Sequence, residues 1–104
     1  MSNETGSRKA LDRVIGYQDK VRLMVIEVLR EETGRELEAH ARFQDEAFDW
    51  AEHNAQFRRD YATTSLKELL IAARKFYGLS NLNAIKDRRI AHKQQRAQRL
   101  VNVA

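Results

Sequence analysis

The side chains here that can move protons or hold a metal are three histidines and fifteen acidic residues. Their densest grouping is Asp45, Asp49, Glu52 and His53, preceded by Glu36 and His40. Metal sites in helical bundles often use Glu-x-x-His, which puts both ligands on one helix face, with the set completed from a second helix. The intervals Glu36–His40 and Asp49–His53 are four residues, and no second cluster stands elsewhere in the chain to complete a site. A second copy is needed to supply one by symmetry. The ordinary reading of these carboxylates is a solvated acidic face, and no metal is expected. His40 projects from an apolar arc and is expected to be packed and hydrogen-bonded. There is no cysteine, which removes thiol nucleophiles, thiolate metal sites and disulfides. The hydroxyl residues sit mainly at caps and ends without triad partners, and no glycine-rich phosphate loop is present. The sequence therefore predicts no catalytic residue, no cofactor and no enzyme.

Charge is more informative. The chain carries a net +4, but residues 1–65 hold ten basic and thirteen acidic residues, whereas residues 66–104 hold nine basic and two acidic. A negative body with a strongly positive end suggests a polyanionic partner. The basic end is "KDRRIAHKQQRAQRLVNVA", residues 86–104, with Lys86, Arg88, Arg89, Lys93, Arg96 and Arg99. Such side chains displace counterions from phosphates, giving an affinity that falls steeply with salt. The simpler alternatives are a solvated helix surface, or a basic end lying on the molecule's own acidic middle.

The stretch from Leu66 to Lys93 adds shape to that charge. Leu66–Tyr77 reads as a supporting helix, "GLS" as a turn, and Asn81 onward as a second helix. This arrangement resembles a helix-turn-helix. The resemblance implies that Asn81 and Asn83 contact base edges while Lys86, Arg88 and Arg89 hold phosphates. Arg74 stands where the motif often has a small alanine before the turn glycine.

Helices must position all of this. Proline is absent, and Ala, Leu, Glu, Arg, Lys and Gln dominate. At 100° per residue, residues 8–33 place Leu11, Val14, Ile15, Val21, Val25, Ile26, Val28 and Leu29 on one arc, with Tyr17 and Met24 at its edge. Ser7 is the expected N-cap and Gly34 the expected left-handed stop. "VRLMVIEVL" is more apolar than one stripe requires, and Leu23 points off the arc. Residues 35–61 read as one aromatic-rich helix. Leu37, His40, Ala41, Phe43, Ala47, Phe48, Trp50, Ala51, Ala55, Phe57 and Tyr61 face inward, while Glu38, Asp45, Glu46, Asp49, Glu52, His53 and Asp60 face water. Ser65 and Glu68 form a capping box ahead of Leu66, Leu69, Leu70, Ala73, Phe76 and Tyr77, and Gly78 ends that helix. Ser80 is the expected cap of a fourth helix, with Leu82 and Ile85 inward. Beyond Ile85 no continuous apolar stripe exists, so the end projects into solvent, docks on something charged, or orders only in a complex.

The expectation is an all-α helical bundle of about four helices: two long, one short and one basic and C-terminal, forming a homodimer through the first two. Residues 1–7 are expected to be disordered, 8–85 to form the bundle and 86–104 to form the basic helix or tail. Leu23, Met24, Val25, Val28, Leu29, Phe43, Trp50 and Phe57 are the core or homodimer positions. The N-terminus lacks the apolar segment of a secretory signal and no run is long enough to span a membrane, which predicts a cytoplasmic protein. The leading expectation is a non-enzymatic regulator that associates with nucleic acid through residues 81–99. The rival is an adaptor or inhibitor subunit that grips an acidic protein surface and touches no nucleic acid.

Overall fold

A computed structural model describes the backbone of residues 2–103, and the side-chain surroundings of residue 13 and residues 16–99. It contains four helices: α1 (Ser2–Phe43), α2 (Trp50–Asp60), α3 (Leu66–Tyr77) and α4 (Leu82–Val103), with no strand among the described residues. The molecule is 65 Å long, close to the length of a 42-residue helix rising about 1.5 Å per residue. So α1 is a spine, and the other three helices each pack on it.

This spine is longer than the sequence pattern implies. It begins at Ser2, so residues 2–7 are helical and Ser7 lies within the helix. The expected inward positions of Leu11, Val14 and Ile15 fall outside the side chains described. The helix also runs through Gly16 and Gly34. Gly34 is not a stop; it is a contact. A Cβ there would lie 2.2 Å from Trp50 Cζ3, so glycine lets the indole lie directly against the α1 backbone.

The expected helix over residues 35–61 is two helices. Asp45 takes the left-handed conformation, φ 57°, at the position after the α1 cap. Glu46 N–H donates to Ala41 O and Asp45 N–H to Arg42 O, the paired bonds of a Schellman stop. Aspartate tolerates this conformation better than most residues, which is how α1 ends without a glycine. Asp49 then starts α2, its side chain accepting from Glu52 N–H at 3.1 Å. The break resets the register. Phe43 and His40, expected inward, are exposed, and Phe43 is 90 % exposed. His53, expected outward, joins a ladder of Phe48, Trp50, Phe57 and Tyr61 with successive ring centroids 4.4–5.8 Å apart.

Helix α3 follows its sequence signals. Ser65 Oγ accepts from Glu68 N–H, and Gly78 closes the helix at φ 67°. Leu69 and Ala73 are fully buried, packed with Val21, Val25, Val28 and Leu29 of α1, Leu79 of the turn, and Ile85 of α4. Leu66, Leu70 and Tyr77 lie at the rim of this core, while Phe76, expected to join them, is exposed. The Tyr77 hydroxyl shares a 2.8 Å hydrogen bond with the Thr33 hydroxyl. Burial raises the phenol above its ordinary pKa.

Candidate functional site

The C-terminal helix carries the charge, so its seating decides what the charge can do. Asn81, not Ser80, is its cap, with Asn81 Oδ1 accepting from Ala84 N–H at 2.8 Å. Ile85 anchors the first turn in the core. One turn later the buried face of α4 turns polar, and so does the α1 face opposite it. The α1 stripe Val21, Val25, Val28 continues at helical spacing into Glu32, and there His92 is buried. Arg88 Nη1 lies 2.8 Å and His92 Nε2 2.9 Å from the same oxygen, Glu32 Oε1. Burial pushes the Glu32 carboxyl up. The bonds and charges of Arg88 and His92 outweigh that and hold it below its ordinary value.

Beside this cluster, Arg89 Nε donates to Glu27 Oε2 at 3.2 Å, and Arg96, further along α4, approaches Glu27 Oε1 at 3.9 Å. Arg35 of α1 donates to the Gln95 side chain. Part of the basic end therefore docks on the molecule's own α1. Its seat is ionic where the apolar stripe fails, and Glu27 and Glu32, which the sequence pattern does not single out, are its acceptors. Lys86, Lys93 and Arg99 make no ion pair within 4 Å among the described residues. Asn83, Lys86 and Lys93 are exposed on the outer face of α4, together with Ile90. Asn81 is exposed too, with its carbonyl oxygen committed to the cap.

A second group of cations lies where α2 meets α1. Arg30 of α1 is buried, 8 % exposed. Its Nη1 donates to Asn54 Oδ1 of α2, and its backbone oxygen pairs with His53 Nε2 at 2.9 Å. Burial and the Arg58 charge pull the guanidinium below its ordinary pKa, with Arg96 adding to this and Glu31 and Glu27 opposing it. Arg22, also on α1, spans to the Ala62 carbonyl at 2.8 Å. The α2 stretch "NAQFRRD" held the cue: Asn54 and Arg58 are four apart and share a face.

The dimer or core positions divide. Val25, Val28, Leu29 and Phe57 are buried, and Met24 and Trp50 are half-buried. Leu23 is 59 % exposed beside a groove it shares with Tyr17, Lys20, Met24, Glu27, Lys86 and Arg89. The acidic grouping does not converge. Asp49 is spent on its cap, His53 faces α1, and no group of three His, Asp or Glu among the described residues is disposed to hold a metal. No described helix is long and apolar enough to cross a membrane.

Fold and site together define a class in structural terms: an all-α domain in which three shorter helices clasp one long helix, one of them through half-buried ion pairs. Comparison with protein-family models, curated proteins and solved structures found no match for this chain.

Proposed function

We propose that this protein is a non-enzymatic helical regulator that associates with nucleic acid through the basic surface of its C-terminal third. The observation that carries this reading is the surplus of cations left after α4 has docked. Arg88 shares Glu32 with His92, and Arg89 and Arg96 share Glu27, so acceptors are outnumbered even at the seat. Lys86, Lys93 and Arg99 add charge with no ion-pair partner within 4 Å among the described residues. Arg88 and Arg89 serve first to hold the helix, and Lys86, Lys93 and Arg99 are the phosphate contacts. Base contact rests on Asn83, since Asn81 Oδ1 is engaged at the cap.

The test is binding of a labelled duplex and a labelled single-stranded oligonucleotide across a salt series. Affinity should fall steeply with salt, and Lys86→Ala/Lys93→Ala should reduce the slope of log affinity against log salt by about two. No binding at low salt sinks the reading.

A second reading, an adaptor or inhibitor subunit that grips an acidic protein surface of a larger assembly, draws on a different observation. Tyr17, Leu23, Ile71 and Phe76 are all more than half exposed, and apolar exposure of that kind is used in protein contacts. A stoichiometric protein partner, with no oligonucleotide bound, decides for it.

A further inference from the structure

Two of the buried charged side chains are treated differently by the fold. Glu31 is matched by Arg35 at 3.1 Å. Arg30, equally buried, has no carboxylate within 4 Å among the described residues. Its hydrogen-bond partner is the neutral amide of Asn54, and its charged neighbours are Arg58 and Arg96 against Glu31 and Glu27, both carboxylates already paired with other arginines. A buried guanidinium with no carboxylate in direct contact is costly unless an anion joins it.

A place for that anion lies beside it. A hollow of about 240 Å³ is lined by Arg30, Glu31, Trp50, Asn54, Arg96 and Arg99. It is drawn from α1, α2 and α4, so no single segment of sequence announces it. Its volume is below the roughly 300–1,000 Å³ of ordinary small-molecule pockets, which suits one group of a longer chain. Guanidinium forks match the oxygens of a phosphate. Trp50 is held by its Nε1–H on Glu38 Oε2 at 2.6 Å, which fixes the indole in the wall of the hollow. The lining carboxylate, Glu31, is already occupied by Arg35.

We propose that the hollow walled by Arg30, Arg96, Arg99, Asn54 and Trp50 binds a backbone phosphate of nucleic acid, an inference that rests on the nucleic-acid reading above. It adds a contact reaching the buried Arg30 to the exposed ones on α4 and brings α2 into the interface.

The test measures binding of a fluorescein-labelled single-stranded oligonucleotide to the full chain. Arg96→Gln and Arg99→Gln should each weaken binding about tenfold, and Lys75→Ala, on α3, should not. Trp50 fluorescence should change on binding. Arg30→Gln should lose binding as well; should it fail to fold, Arg99→Gln decides, because Arg99 is exposed at the rim. Oligonucleotide binding that is unchanged in the Arg96 and Arg99 variants overturns the pocket, removes Arg99 from the phosphate contacts, and leaves the functional reading resting on Lys86 and Lys93. No binding by the unaltered protein at low salt overturns both. Binding of polyglutamate in place of the oligonucleotide, with the same dependence on Arg99, assigns the hollow to protein carboxylates and overturns the phosphate assignment.

Discussion

Helices α3 and α4 dock on the same spine by different physics. Helix α3 inserts Leu69 and Ala73, both fully buried, into the α1 face formed by Val21, Val25, Val28 and Leu29. Helix α4 does the same for one turn, through Ile85, and then exchanges apolar contact for Arg88, Arg89 and His92 on Glu27 and Glu32. Apolar contact has no charge to screen or titrate, whereas ion pairs are screened and titrated. The helix that carries the candidate ligand surface is thus the one whose seat responds to the same ionic conditions that govern polyanion binding.

The contrast breaks first on its apolar side. Leu69→Ala should cost about 2–5 kcal/mol, because the site is enclosed on all sides and cannot collapse. The loss should be the same at low and high salt when measured by urea unfolding. Next comes Glu32→Gln. It keeps the shape but leaves Arg88 without its counter-ion and weakens the acceptor of a buried imidazole, a loss on the order of 1–3 kcal/mol. A cost for Glu32→Gln equal to that of Leu69→Ala would mean that the two helices are not held by distinguishable means.

Acid sharpens the same point. The Glu32 carboxyl sits below its ordinary pKa in the folded protein. Its contribution to stability is therefore complete above the unfolded-state value, near ~4.3, and is lost as pH falls through the lowered folded value. Unfolding followed from neutral pH downward should show stability declining in that range, and Glu32→Gln should flatten its share of the decline. Leu69→Ala should lower the whole curve and leave its slope unchanged.

How much of this was readable beforehand depends on whether a signal is local. Helix α3 was, because Ser65 and Gly78 act on their own backbone neighbours. The end of α1 was not, because Asp45 fills a position usually held by glycine. Gly34, which looked like a stop, is glycine because of a ring sixteen residues further on. Asp49 and Glu52 did carry a local start signal, masked by an aromatic pattern that reads smoothly through it. At the candidate site the cations of α4 were visible in the sequence, but their acceptors Glu27 and Glu32 lie 56 to 62 residues away. Nothing in the periodicity of either helix could pair them. Arg30 was hidden for the same reason: the indole and amide beside it arrive from α2, and two guanidiniums from α4.

The smallest expected effect tests whether charge alone explains the seat of α4. Arg42 pairs with Glu38 at 3.0 Å in the last turn of α1, four residues apart, with the Arg42 side chain 77 % exposed. Its length matches the pairs on Glu32, but its setting does not. In water the attraction is screened, and holding a long side chain in place costs entropy. Glu38 also keeps a second partner, the Trp50 Nε1–H at 2.6 Å, so removing Arg42 strands no acceptor. A cation near a helix C-terminus does gain a little from the macrodipole, which Arg42→Ala gives up. The total should stay within about 0.5 kcal/mol, well short of Glu32→Gln, in the same unfolding assay. If Arg42→Ala instead matched Glu32→Gln, burial would not be what gives the α4 ion pairs their strength, and the ionic seat would be a surface decoration that any pair on α1 could replace.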